Sequence, residues 1–238
     1  MIALAALLMS FAAPPATLAV DGLLVGTYKS GRWTAHGDKL PAWKNVRFQQ
    51  VLLGRMGKSI VVPGAVIMEM SGCPYLKDEG ARARGAQWSG PTPSFPRKVT
   101  AGGPVPAATQ KVVQTIVAGK GFDATRIDWV KYVTGDFDGD KKPDQLIQCR
   151  NIETGDSDPK HQWSMVLYLQ GGKKPKTISW HVFAEAESLE IDSLEGLADF
   201  DHDGVYELVL GRQYIEGNGG TVFSLRKSGP RIVVDKGA

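Results

Sequence analysis

Two short acidic stretches place carboxylates at alternate positions. Asp136-Phe137-Asp138-Gly139-Asp140-Lys141-Lys142-Pro143-Asp144 and Asp199-Phe200-Asp201-His202-Asp203-Gly204-Val205-Tyr206-Glu207 both carry an acid at positions 1, 3, 5 and 9. Two carboxylates about 4 Å apart near a protein surface repel by about 4 kcal/mol, so a positive partner is needed. A tight turn can aim these side chains at one hard cation, and the carbonyl at position 7 (Lys142 or Val205) is a further oxygen donor. Calcium takes six to eight oxygens at roughly 2.3–2.6 Å in a flexible shell, which this spacing can largely supply. The reading is one or two calcium ions. One set of ligands is Asp136, Asp138, Asp140, Lys142 and Asp144; the other is Asp199, Asp201, Asp203, Val205 and Glu207.

These are not EF-hand loops. An EF-hand needs a bidentate glutamate at position 12 and a helix after it, whereas position 12 is Ile147 or Leu210 and the following residues read as strand. The pattern D-x-D-x-D-G-x-x-D running into a strand, carried by "ADFDHDGVYELVL" and in variant form by "GDFDGDKKPDQLI", resembles the FG-GAP/VCBS repeats of integrin-type propellers. The resemblance spans roughly residues 128–226. It implies loops that bind calcium and brace neighbouring strands, in modules that bind or adhere or that are appended to enzymes. Lys141 stands where the family has glycine, and a left-handed backbone there costs about 1–2 kcal/mol. Lys141 and Lys142 also supply charge that can neutralise the first loop without a metal. Glu207 is one methylene longer than aspartate, within the tolerance of a calcium shell. His202 reads as solvated, because a hard cation prefers oxygen.

The elements around these loops read as short strands. "GLLVGTY", "VRFQQVLLG" and "SIVVPGAVIMEM" are apolar runs bounded by Gly and Lys. The segment 89–106 holds five prolines and reads as an extended connection. In "AATQKVVQTIVAGKG", Val112, Val113, Ile116 and Val117 share one face at helical spacing. Pro106 stands before this run and Gly119 near its end, which predicts one short amphipathic helix covering a sheet. Beyond it come two cycles of about four strands, with 63 residues separating Asp136 from Asp199; Asn218-Gly219 is read as a hairpin turn. The expected fold is mostly β: propeller-like four-stranded repeats in an incomplete or irregular propeller, since propellers typically need four or more blades.

The expected organisation is a signal peptide at 1–19, an N-terminal β-rich region with its proline-rich connection at 20–105, a helix at 106–122, and two repeats at 123–238. Residues 1–19 contain no charged side chain. Their apolar run is too short to span a bilayer and ends at Pro14-Pro15, with small residues following, as in a secretory leader. Secretion or a periplasmic location follows, with no transmembrane segment in the mature chain. Cys73 and Cys149 fit either one disulfide or two buried thiols.

Other chemistry lacks its motif. The formal charge of +3 is spread without a basic stripe, so no nucleic-acid partner is expected. "LLGRMGKS" has Leu52 where a phosphate loop needs glycine, and "AQWSG" has Gln87 where a nucleophile elbow needs one. His36, His161, His181 and His202 show no zinc spacing. Glu185, Glu187 and Glu190 read as a solvated acidic loop, and the six tryptophans as packing residues. The expected function is a secreted, non-enzymatic calcium-binding module for a protein or glycan ligand. The alternative is a small secreted hydrolase, such as a glycoside hydrolase, on a calcium-braced scaffold.

Overall fold

The computed structural model describes residues 16–69, 71–77, 85–152, 162–183, 190–214 and 217–237. Among these, strands form three antiparallel sheets of eight, five and four strands, joined by one helix. The first sheet contains β1 (Ala16–Val20), β2 (Leu23–Lys29), β3 (Arg32–Ala35), β4 (Val46–Leu52), β5 (Arg55–Val62), β6 (Ala65–Ile67), β7 (Pro74–Leu76) and β8 (Ala86–Trp88). Its order is β5-β4-β8-β1-β2-β7-β6, with β3 also on β2. The second runs β13 (Lys176–Val182), β12 (Trp163–Leu169), β11 (Asp144–Asn151), β10 (Asp128–Gly135) and β9 (Val99–Ala101). The third is the meander β14 (Ile191–Ala198), β15 (Glu207–Gln213), β16 (Asn218–Arg226) and β17 (Gly229–Gly237). The two acidic stretches therefore occupy equivalent places, each joining the first two strands of a four-strand meander.

The third sheet stacks between the other two because its inner strand β15 is apolar on both faces. In β15, Leu208 and Leu210 face one way, into a core shared with Leu146, Val166 and Tyr168 of the second sheet. Val209 faces the other way, towards Leu18, Val20 and Trp88 of the first sheet. Period-two alternation with both sets apolar is what a strand between two layers requires. On the far side of the second sheet, Ile147, Cys149, Trp163, Met165 and Leu167 receive the helix α1 (Ala107–Gly119) through Val113 and Val117. The layer order is thus α1, second sheet, third sheet, first sheet. Pro106 precedes α1 at φ −59°, ψ 144°, where its missing N–H costs nothing.

Residues on either side of the expected leader boundary at 19 form β1, which pairs with both β2 and β8. Leu18, Ala19 and Val20 are fully buried, so this strand is part of the folded core; residues 1–15 lie outside the described set. Asn218-Gly219 is not the hairpin turn: both residues pair with β15, Asn218 with Gln213 and Gly219 with Arg212. Tyr214 N–H instead bonds to the Gly217 carbonyl at 2.8 Å and closes the connection earlier. The adjacent glycine serves packing. A Cβ at Gly220 would stand 2.6 Å from Val25 Cγ2. The two cysteines are buried and not joined in a disulfide.

The contact between β16 and β2 therefore depends on Gly220 having no side chain. We expect Gly220→Ala to cost about 1–3 kcal/mol through overpacking. Urea unfolding should show a lower midpoint at an unchanged slope.

Candidate metal centre

Both loops are built on one plan. The last residue of the preceding strand pairs with position 9, Gly135 with Asp144 and Ala198 with Glu207. The position-9 carboxylate, fully buried in each case, turns back and accepts the amide of position 2: Phe137 N–H to Asp144 Oδ2 at 2.9 Å, and Phe200 N–H to Glu207 Oε2 at 3.0 Å. The position-2 rings are plugs. Phe137 packs on Tyr168 and Tyr206, while Phe200 packs on Trp33 and Trp88.

Position 1 is held by a nest of main-chain amides. Asp136 accepts from Gly139, Asp140 and Lys141 N–H, and Asp199 accepts from Asp203 and Gly204 N–H. This winding needs a left-handed residue at positions 4 and 6 of each loop. They are Gly139 (φ 75°) and Lys141 (φ 67°) in the first, His202 (φ 60°) and Gly204 (φ 83°) in the second. Each loop thus has one glycine and one strained residue, at exchanged positions. At position 5, Asp140 and Asp203 accept the amides of Lys142 and Val205.

The carboxylates converge, though not identically. In the first loop, Asp136, Asp138 and Asp144 each offer an oxygen within 4.8 Å of the others. In the second loop the corresponding group is Asp199, Asp201 and Asp203. Glu207 lies outside this converging set but within electrostatic reach of it, and the charges of the three aspartates act on its carboxyl. Burial, followed by Asp201, Asp203 and Asp199, pushes its carboxyl from its ordinary 4.5 up to about 9, against the opposing Phe200 N–H bond. Its Oε1 is buried with no hydrogen-bond partner. Burial and the same crowding raise Asp201, and burial followed by these four acids also raises the Tyr28 hydroxyl at the end of β2. Asp144 is raised by burial despite the N–H groups of Gly171 and Phe137.

Neighbouring elements close over the loops, and sequence reading missed these residues. The β12–β13 turn covers the first loop: Gln170 Nε2 donates to Asp138 Oδ2, and Gly171 N–H to Asp144 Oδ1 at 2.8 Å. The β16–β17 turn covers the second, with Arg226 Nη2 donating to Asp203 Oδ2 at 2.9 Å. The proline-rich connection supplies Ser94, whose Oγ donates to Asp199 Oδ2 at 2.7 Å, and Arg97, which reaches both loops. None lies within two residues of an acidic stretch, so no local pattern marked them. His202 is exposed, at the outer side of its loop.

The residues fit a hard cation. Oxygen donors converge in both loops, and a buried glutamate oxygen without a donor stands beside the second set. An unpaired carboxylate in that position is stable only if protonated or paired with a positive charge.

A second polar region lies where the sheets meet. A cavity of about 760 Å³ is lined by Asp21, Lys131, Arg150, Glu195 and Arg212, among others. Its acids have protein partners: Asp21 accepts the Gly85 amide at 2.8 Å, and Glu195 lies 3.8 Å from Lys131 and accepts from Ser193. Of the acidic run considered above, Glu190 pairs with Arg212 at 3.1 Å, while Glu185 and Glu187 lie outside the described residues. Trp88 and Trp163 are buried packing residues, and Trp163 stacks on Trp180. No helix among the described residues is long and apolar enough to cross a membrane.

The raised carboxyl of Glu207 sets a pH dependence. In chelator, the folded chain retains a proton that the unfolded chain releases, so stability should fall as pH rises from about 4.5 to about 9. Glu207→Gln should remove the largest part of that slope, as read from urea midpoints across this range. Compared with protein-family models, curated proteins and solved structures, the chain matches none.

Proposed function

We propose that this chain is a calcium-braced, propeller-like β-repeat protein that is secreted or periplasmic and acts as a non-enzymatic binding module. The observation that carries the reading is Glu207: a fully buried carboxylate with one oxygen lacking a donor, within electrostatic reach of three converging aspartates. Calcium resolves that charge at neutral pH without protonation, and all-oxygen donors suit it better than softer metals.

The ions serve as clips. Asp199, Asp201, Asp203 and Glu207 hold one, with the Val205 carbonyl as a further donor. Asp136, Asp138, Asp140 and Asp144, with the Lys142 carbonyl, hold the other. Each joins a loop to the first residue of the following strand, so binding energy goes into fixing the β10–β11 and β14–β15 connections. Extracellular calcium modules bind at roughly 10⁻⁴–10⁻³ M, which matches a site filled constantly outside the cell. The ligand is a protein or a glycan, and the polar cavity beside β14 and β15 is the concave surface that suits it.

Calorimetric titration of calcium into chelator-treated protein should show one or two ions bound. At ten times Kd, each site adds about 1.4 kcal/mol, a rise of roughly 3–6 °C in melting temperature. Asp203→Ala should lose the second-loop site. A melting curve indifferent to EDTA, with no heat of binding, would overturn the reading.

A further inference from the structure

We propose that the two acidic loops bind their cations cooperatively, and that Arg97 and Gln170 are the residues that couple them. The inference rests on the calcium reading above but concerns what joins the sites, a property that neither loop has alone.

Two separate bridges run between the loops. Arg97 leaves the proline-rich connection and lays its guanidinium over the Tyr206 ring, 5.4 Å from the centroid. From there Nε donates to the Asp136 carbonyl at 2.5 Å and lies 3.5 Å from the Asp136 carboxylate, while Nη2 donates to the Phe137 carbonyl at 3.2 Å and the Gly204 carbonyl at 2.7 Å. Positions 1 and 2 of the first loop and position 6 of the second are thereby fixed by one rigid fork. Its own backbone is fixed in turn, because Arg97 N–H and carbonyl both bond to the Tyr206 hydroxyl. Tyr206 N–H completes the link by donating to the Phe137 carbonyl at 3.0 Å.

The second bridge is Gln170. Its Nε2 donates to Asp138 in the first loop and to the carbonyls of Arg226 and Lys227, and Arg226 in turn holds Asp203 of the second loop. Three acceptors around Nε2 fix the orientation of the amide. Its Oε1 is left buried without a donor beside Asp138, the counterpart in the first loop of the unpartnered Glu207 oxygen beside the second.

Coupling follows from shared ordering. A cation that fixes one loop also fixes the guanidinium and the amide that hold the other, so the second ion meets a loop whose ordering cost is partly met. The linkage is reciprocal. Lysine at position 97 would keep the charge and lose the planar fork that spans three carbonyls.

Calcium calorimetry on four proteins tests this: wild type, Asp201→Ala to disable the second loop, the double variant Arg97→Lys/Gln170→Leu, and that double variant carrying Asp201→Ala. Circular dichroism checks that each is folded. With the bridges intact, disabling the second loop should weaken first-loop binding about 5-fold or more. With the bridges replaced, the same change should alter it by less than about 2-fold. Two ions that bind wild type independently, or a single ion, would overturn the coupling while leaving the calcium reading in place. Coupling that persists in the double variant would overturn the assignment to Arg97 and Gln170. No calcium uptake by wild type would overturn both.

Discussion

The return of a buried carboxylate to the second amide of its own loop is the interaction on which this architecture turns. Asp144 and Glu207 are each the first residue of a strand, paired in register with the last residue of the strand before. Their carboxylates cross the loop to the amides of Phe137 and Phe200. That one bond sets where the strand resumes, points the position-2 ring into the core and draws the other acids inward. A buried charge is tolerated only where its oxygens are met, and the rest of each loop is arranged around that demand.

The two loops meet the demand differently. In the first, both Asp144 oxygens have main-chain donors, because Gly171 approaches from the β12–β13 turn. A side chain there would be obstructed, since its Cβ would lie 2.5 Å from that of Lys142. In the second, the covering turn brings Arg226 to Asp203, and one Glu207 oxygen has no donor. The extra methylene of Glu207 and the change of covering residue thus leave the second loop with more uncompensated negative charge. The strain is shared: Lys141 and His202 each hold a left-handed backbone so that the amides around position 1 can converge, at about 1–2 kcal/mol apiece.

The loops are also one structure rather than two. The third sheet lies between the first and second, so stacking brings the β14–β15 loop alongside the β10–β11 loop and under the proline-rich connection. The mutual bridge between Ser94 and Asp199 backbones anchors that connection and places Arg97, three residues later, at both loops. A segment that reads as a passive linker therefore supplies the cation and hydroxyl facing the acidic groups.

Local sequence determined a good deal here. The alternation of acids made both loops legible, because the spacing acts within nine residues and the strands on either side carry their own apolar signal. The helix α1 was legible from the 3.6-residue spacing of Val113 and Val117, and the four-strand cycles from regular turn residues. Tertiary structure decided what local pattern cannot carry. Asn218-Gly219 has turn chemistry, yet it is drawn into β16 because Gly219 and Gly220 are needed where that strand meets its neighbours. Ala16–Val20 is an apolar run without charges, and only its pairing with β2 and β8 shows it as a central buried strand. Arg97, Gln170 and Arg226 lie far along the chain from the acids they contact, and only the stacking of sheets brings them within hydrogen-bonding distance.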